Sequence, residues 1–244
     1  VPVELADPSA RSVLVDNFGE YDPDRWRLFR WKLDAYIEYP RLTDNFVAGQ
    51  AFWLANASEG GFDVNLARST STASSFSITL DPGWNQIANP FTFPVAWSDV
   101  VKPEGIQGLW SYNGNTYTVD STAVMVPWEG YFAYNNQTAP MVISVPARAS
   151  GVSLSKKSEV IAYALTLSAE LQGTGIRGED NILGFESSAL EGDDRFDYRK
   201  PPPPEKPGVD LSVIHQGKTY MRNFKHVREG QFWEVGIASA YPQL

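Results

Sequence analysis

Few side chains in this chain could do chemistry. Glu129, in "PWEGYF", sits among aromatic residues, as the carboxylates of glycosidases do. Glycoside hydrolysis needs two carboxyl groups about 5–10 Å apart. Glu179, Asp180, Asp193, Asp194 and Asp197 gather in a loop-rich region, and calcium takes about six to eight oxygen ligands from loops of that kind. These five acids are the candidate calcium set. Their spacing is not that of an EF-hand, and Arg195 and Arg199 stand beside them as ion-pair partners. Turns capped by Asp side chains are the alternative. His215 and His226 lie on or beside expected strands, but no neighbouring His or Cys completes a zinc set and there is no H-E-x-x-H. No G-x-S-x-G surrounds a serine. Trp84, Trp97, Trp110 and Trp128 could together form an aromatic platform that stacks on sugars. "GTGIRGED" follows a strand with no helix after it, so a phosphate cradle is not indicated.

Composition narrows the field. Cys is absent, which removes disulfides, thiolate nucleophiles and zinc-thiolate sites. Asp and Glu exceed Lys and Arg by 29 to 20, a net charge of -9, and a phosphate-coated nucleic acid would be repelled. No apolar run approaches the roughly 20 residues that span a bilayer, so membrane insertion is not expected. No cofactor is indicated apart from calcium.

The elements that must position these residues read as strands. "SFSITL" alternates Phe76, Ile78 and Leu80 with small polar residues. Asp81-Pro82-Gly83 is a turn, and "WNQIANP" reads as the return strand of a hairpin. In "IAYALTLSAEL", Tyr163, Leu165, Leu167 and Leu171 share a face. "VDLSVI", "TYMRNFK" and "FWEVGI" follow. Helix signals are short: Asp7-Pro8 as a start with Gly19 as a stop, and a turn or two at "AWSDVVK". "KPPPPEKPG" cannot enter a central strand and reads as a rigid surface crossing.

The chain also repeats itself. "LFRWKLDAY" aligns with "LWSYNGNTY", matching Phe29 to Trp110, Trp31 to Tyr112 and Tyr36 to Tyr117. "AGQAFWLAN" aligns with "PWEGYFAYN", matching Gln50 to Glu129, Phe52 to Tyr131 and Trp53 to Phe132. An amide cannot be a general acid, so the Gln50–Glu129 match speaks for a structural role. Aromatic residues at matching strand positions favour core packing over a sugar platform, because each buried ring removes a large apolar area from water. The first copy begins at "VP" where the second has "GWNQIANP". The repeat therefore predicts a strand supplied by upstream residues or by a partner. The stop at "AYPQL", just past a strand, predicts a second open edge.

"GWNQIANPFTFPVAWSDV", "PWEGYFAYN" and "DNILGFESSALEGDDRFDYRKPPPP", in that order, resemble β-rich modules of large secreted and surface proteins of Bacteroidota and related bacteria. Such proteins are often exported by the type IX route. The resemblance implies an extracellular or cell-surface, modular, β-rich protein, and it brings no catalytic residue with it.

The expectation is an all-β chain. A pseudo-duplicated β domain spans residues 1–149, with copies at about 1–80 and 81–149. A polar boundary lies near 147–159. A smaller β-sandwich of immunoglobulin or fibronectin type spans 156–244. The expected function is a non-catalytic extracellular structural, adhesive or surface-assembly module whose partners are other protein modules or subunits. The alternative is a carbohydrate-binding module accessory to an enzyme elsewhere in a parent chain.

Overall fold

The structure, a computed structural model, describes residues 1–57, 61, 63–64, 66–119, 123–150, 163–204, 206, 208–228 and 230–240, with backbone alone at 179, 180 and 240. Most of the boundary expected at 147–159 lies outside the described residues. Among the described residues strand makes up 47% and helix 6%, so the protein is all-β, as its alternating patterns predict. It divides into two compact units: Val1–Ser111 with Val119–Ser155, and Tyr112–Thr118 with Lys156–Leu244. Among the described residues no helix is long and apolar enough to cross a membrane.

The first thirteen strands are β1 (Val3–Leu5), β2 (Trp26–Lys32), β3 (Ala35–Glu38), β4 (Trp53–Asn56), β5 (Ala67–Ser69), β6 (Phe76–Leu80), β7 (Gly83–Ala88), β8 (Val95–Ala96), β9 (Ile106–Tyr112), β10 (Tyr117–Val119), β11 (Val124–Met125), β12 (Gly130–Asn135) and β13 (Met141–Val145). They form small sheets in the orders β3-β2-β4, β10-β9-β12-β7, β13-β6, β1-β5 and β11-β8. The β13-β6 pair packs over the β9-β12-β7 sheet as a sandwich. Ile78, Leu80, Ile143 and Val145 from one layer meet Ile87, Leu109 and Tyr131 from the other. A second core sets Trp26 and Leu28 of β2 against Val13 and Leu14 of a short helical segment, Arg11–Val15 and Asp16–Phe18. Ser9 Oγ accepts the Ser12 N–H at 3.1 Å near the start of that segment, and Gly19 ends it at φ +79°.

The aligned segments build the same local arrangement. β2 lies between β3 and β4 as β9 lies between β10 and β12. Phe29 sits opposite Trp53, and Trp110 sits opposite Phe132. The rings of Trp31 and Tyr36 are 5.0 Å apart, as are those of Tyr112 and Tyr117. Leu28 and Leu109 each enter a core, while Phe29 and Trp110 are buried on the opposite face.

One expectation is corrected. β6 and β7 do not form a hairpin: β6 pairs with β13, and β7 with β12. The Asp81-Pro82-Gly83 turn carries the chain from one layer of the sandwich to the other. The Asn85 side chain holds that arch, accepting the Asp81 N–H at 2.9 Å and donating to the Asp81 carbonyl at 2.7 Å. The Asp81 N–H and carbonyl are thus paired by the Asn85 side chain rather than by a hairpin partner.

The second unit contains β14 (Tyr163–Leu171), β15 (Ile176–Phe185), β16 (Tyr198–Arg199), β17 (Gly208–His215), β18 (Lys218–Lys225) and β19 (Glu234–Ala240). Five run in the order β14-β15-β18-β17-β19, and β16 pairs with β18. The sheet curls: a Cβ on Gly178 of β15 would lie 2.5 Å from the Val209 carbonyl oxygen of β17. The proline run is not wholly a surface crossing. Pro201 and Pro202 are buried, and Tyr117 of the same unit donates its hydroxyl to the Pro202 carbonyl at 3.0 Å.

Candidate functional site

In the first unit a cavity of about 490 Å³ opens between the 46–50 loop, β6 and β7. Gly49 makes it by its backbone. At φ +81° it turns the chain over β6, where a Cβ would stand 3.1 Å from both Ile78 and Phe76. The loop is then pinned to β7, since the Ala88 N–H reaches the Gly49 carbonyl at 2.9 Å and Gln50 bridges to Ile87. Leu5, Phe46, Phe76, Ile78 and Ile87 supply the apolar wall. Glu4, Arg30, Gln50 and Gln86 supply polar groups.

Most of those polar groups are already committed. Arg30 is ion-paired with Asp44, which also takes Lys32 Nζ at 2.8 Å. Burial would raise the Asp44 carboxyl, but these two cations hold it below the usual carboxylate range. The Arg30 guanidinium lies 5.5 Å from the Phe52 ring centroid. Gln86 Oε1 accepts the Trp31 N–H at 2.6 Å. Glu4 alone of the charged lining makes no ion pair among the described residues.

The four tryptophans are not gathered into one exposed platform. Trp110 is 0% exposed and Trp97 4%, so neither can stack on a ligand. Trp97 belongs to the sandwich core and is capped by Lys102, whose Nζ lies 4.6 Å from its ring centroid. Trp84 is half-buried against Trp110 and Tyr134, at 4.8 and 4.9 Å. Trp128 is 53% exposed. It holds φ +69° at the position aligned with Gly49, and both turns lead into the β4-like strand of their copy. The tight contact with β6 at Gly49 excludes a side chain there, whereas Trp128 projects outward.

Glu129, beside it, accepts the Tyr131 hydroxyl at 2.9 Å. That hydroxyl is itself fixed by the Val126 N–H at 2.8 Å. Burial pushes the Tyr131 phenol upward, so the group stays protonated as a donor. Glu129 thus anchors the turn before β12.

The described acids of the calcium set are tied up by protein donors. Asp193 accepts from Arg199 at 3.0 Å, from Lys218 at 2.8 Å and from the Tyr220 hydroxyl. Burial would raise its pKa, but the Lys218 and Tyr220 bonds and the Arg199 charge hold it below the usual range. Asp194 takes the Leu190 N–H at 2.6 Å and the Phe196 N–H at 2.7 Å. Asp197 is buried and accepts Asn223 Nδ2 at 3.0 Å and the Phe224 N–H at 2.9 Å. Burial raises it most, the Asp194 and Asp193 charges add, and its pKa is pushed up to about 7 despite the Phe224 bond. A calcium ion would have to displace two cations from Asp193, so these three acids do not fit it. The side chains of Glu179 and Asp180 lie outside the described residues. Among the described residues no group of three or more His, Asp or Glu could hold a metal ion.

His215 and His226 bond to the carbonyls of Glu191 at 3.0 Å and Ser187 at 2.7 Å, and they bind neighbouring loops. The Gly173 and Gly175 pair of "GTGIRGED", at φ +79° and +70°, turns β14 into β15. The cavity residues carried no sequence signal, because they come from β1, β2, a loop and β6–β7 and meet only in the folded chain. Gly49 ahead of Gln50 was the one local hint. Comparison with known proteins finds no matching family model, no matching curated protein and no matching solved structure.

Proposed function

We propose that the chain is a non-catalytic module of an extracellular or cell-surface assembly that joins other protein modules through its sheets. One observation carries this reading. β14 and β19 are the edges of the second unit's sheet, and they expose Tyr163, Leu165, Val235 and Ile237, the last by 67%. Proteins that must stay apart blunt such edges with charge or proline. The structural use of Glu129, Asp193, Asp194 and Asp197 supports a non-catalytic role. The resemblance to Bacteroidota surface modules supports a place outside the cell, and the -9 charge argues against nucleic acid. Light scattering over a concentration series tests the reading. Association that weakens in Leu165→Lys and Ile237→Lys is expected, and a protein that stays monomeric at every concentration refutes it.

A second reading, a carbohydrate-binding accessory module, rests on Trp128, an exposed ring beside the Glu129 carboxylate. It expects retardation of the chain in gels containing soluble β-glucan or xylan, lost in Trp128→Ala.

A further inference from the structure

We propose that the open edge of β6 and the cavity beside it form a docking site for an extended peptide of a partner chain. That peptide carries one bulky apolar side chain and a neighbouring basic residue. The inference deepens the assembly reading and lies on a different surface, in the first unit.

The direction of the backbone groups carries it. In an antiparallel pair, opposed residues alternate between exchanging hydrogen bonds and pointing them away from each other. Ser144 of β13 exchanges both of its backbone bonds with Val101, at 3.0 and 2.9 Å, on the side away from β6. Ser77 stands directly opposite Ser144, so its own N–H and C=O point away from β13. Thr79, two residues on and opposite Val142, repeats that direction. Among the described residues β6 has no second strand neighbour. No described residue bonds to the backbone of Ser77 or Thr79, and both residues are exposed. The sequence of β6, "FSITL", holds no charge or proline to blunt this edge.

The cavity selects the occupant. Ser77 and Thr79 belong to its rim, so a strand added to β6 runs along its mouth. Main-chain bonds give such a strand its affinity, and the pocket gives it specificity through alternate side chains. Phe46, Phe76, Ile78 and Ile87 line a space large enough for a Leu or Phe side chain. Arg30 and Lys32 share the Asp44 carboxylate, and the exposed Glu4, opposite Arg68 in the β1–β5 ladder, is the one acid of the lining and makes no ion pair among the described residues. A Lys or Arg beside the apolar residue complements it, and the -9 charge of the chain favours the same sign.

The test uses the whole chain and the peptide acetyl-Ser-Lys-Val-Phe-Val-Thr-amide, followed by amide hydrogen exchange. The Ser77 and Thr79 amides should slow by about tenfold or more near saturation, tenfold being about 1.4 kcal/mol of added protection. A peptide N-methylated at alternate amides should not bind, and exchanging its Lys for Glu should weaken binding severalfold. Glu4→Gln should remove that charge preference without placing a second cation opposite Arg68. Thr79→Pro, which removes an outward N–H and spares the β13 ladder, should lose binding. Unchanged exchange at Ser77 and Thr79, or equal binding of the N-methylated peptide, overturns the proposal. Slowing at these amides on concentrating the protein without peptide overturns it in favour of a second copy. Loss of association through β14 and β19 leaves this readout untouched, so the two readings fail separately.

Discussion

Replacing Asp197 with Asn should flatten the pH dependence of the protein's stability near neutrality. Asp197 is 3% exposed, and burial pushes its pKa to about 7. In the unfolded chain an aspartate titrates near 4. The folded state therefore binds the proton more tightly. The resulting stability is fully present below about pH 4 and is lost as pH rises through about 7. Each pH unit in that window changes stability by about 1.4 kcal/mol, so on the order of 3 kcal/mol should disappear between about pH 5 and pH 8. Asn keeps an oxygen to accept the Phe224 and Asn223 bonds but cannot ionise. Below about pH 5 the variant should match the native protein or fall slightly under it, and near pH 8 it should be the more stable. Guanidinium unfolding at three pH values, with exchange of the Phe224 amide as a local reporter, reads this out. Subtracting the variant's curve isolates Asp197 from the groups that the two proteins share. Among them are Glu38, Asp44, Asp99 and Asp193, whose lowered pKa values act only as pH falls through the acid range. Parallel curves for variant and native protein would refute the assignment of a proton to Asp197.

Three further outcomes are expected. Asn89→Ala should cost several kcal/mol in denaturant unfolding, because Asn89 is fully buried and donates to the Phe93 and Met125 carbonyls, both at 2.7 Å, which are then left unpaired. Trp110→Ala should cost about 3–5 kcal/mol and Trp128→Ala far less, measured the same way, since one ring is enclosed and the other half in water. Glu129→Gln should leave the melting temperature within a degree or two, on the order of a few tenths of a kcal/mol, since the amide oxygen still accepts the Tyr131 hydroxyl; a large loss of glycan hydrolysis in that variant would mark Glu129 as catalytic.

The strands were legible because their signal is local. In "SFSITL" and "VDLSVI" a period of two puts the apolar residues on one face whatever the rest of the chain does. The aromatic matches between Phe29 and Trp110 and between Trp53 and Phe132 were legible for a related reason, as side chains at corresponding places in similar sheets meet similar neighbours. Pairing was not legible. The same alternation lets β6 lie beside β7 or beside β13, and the Asn85 bonds that favour an arch over a hairpin depend on one side chain's direction. Nor could the sequence separate Trp110 from Trp128, which are chemically identical until the fold encloses one and leaves the other in a left-handed turn at the surface. The acids of the 193–197 loop read as calcium ligands because composition counts oxygens. Only the folded chain brings Lys218, Tyr220 and Phe224, far along the sequence, to those oxygens first. The open edge of β6 is the extreme case, since an unpaired strand edge is defined by what does not lie next to it, and that depends on the path of every other strand.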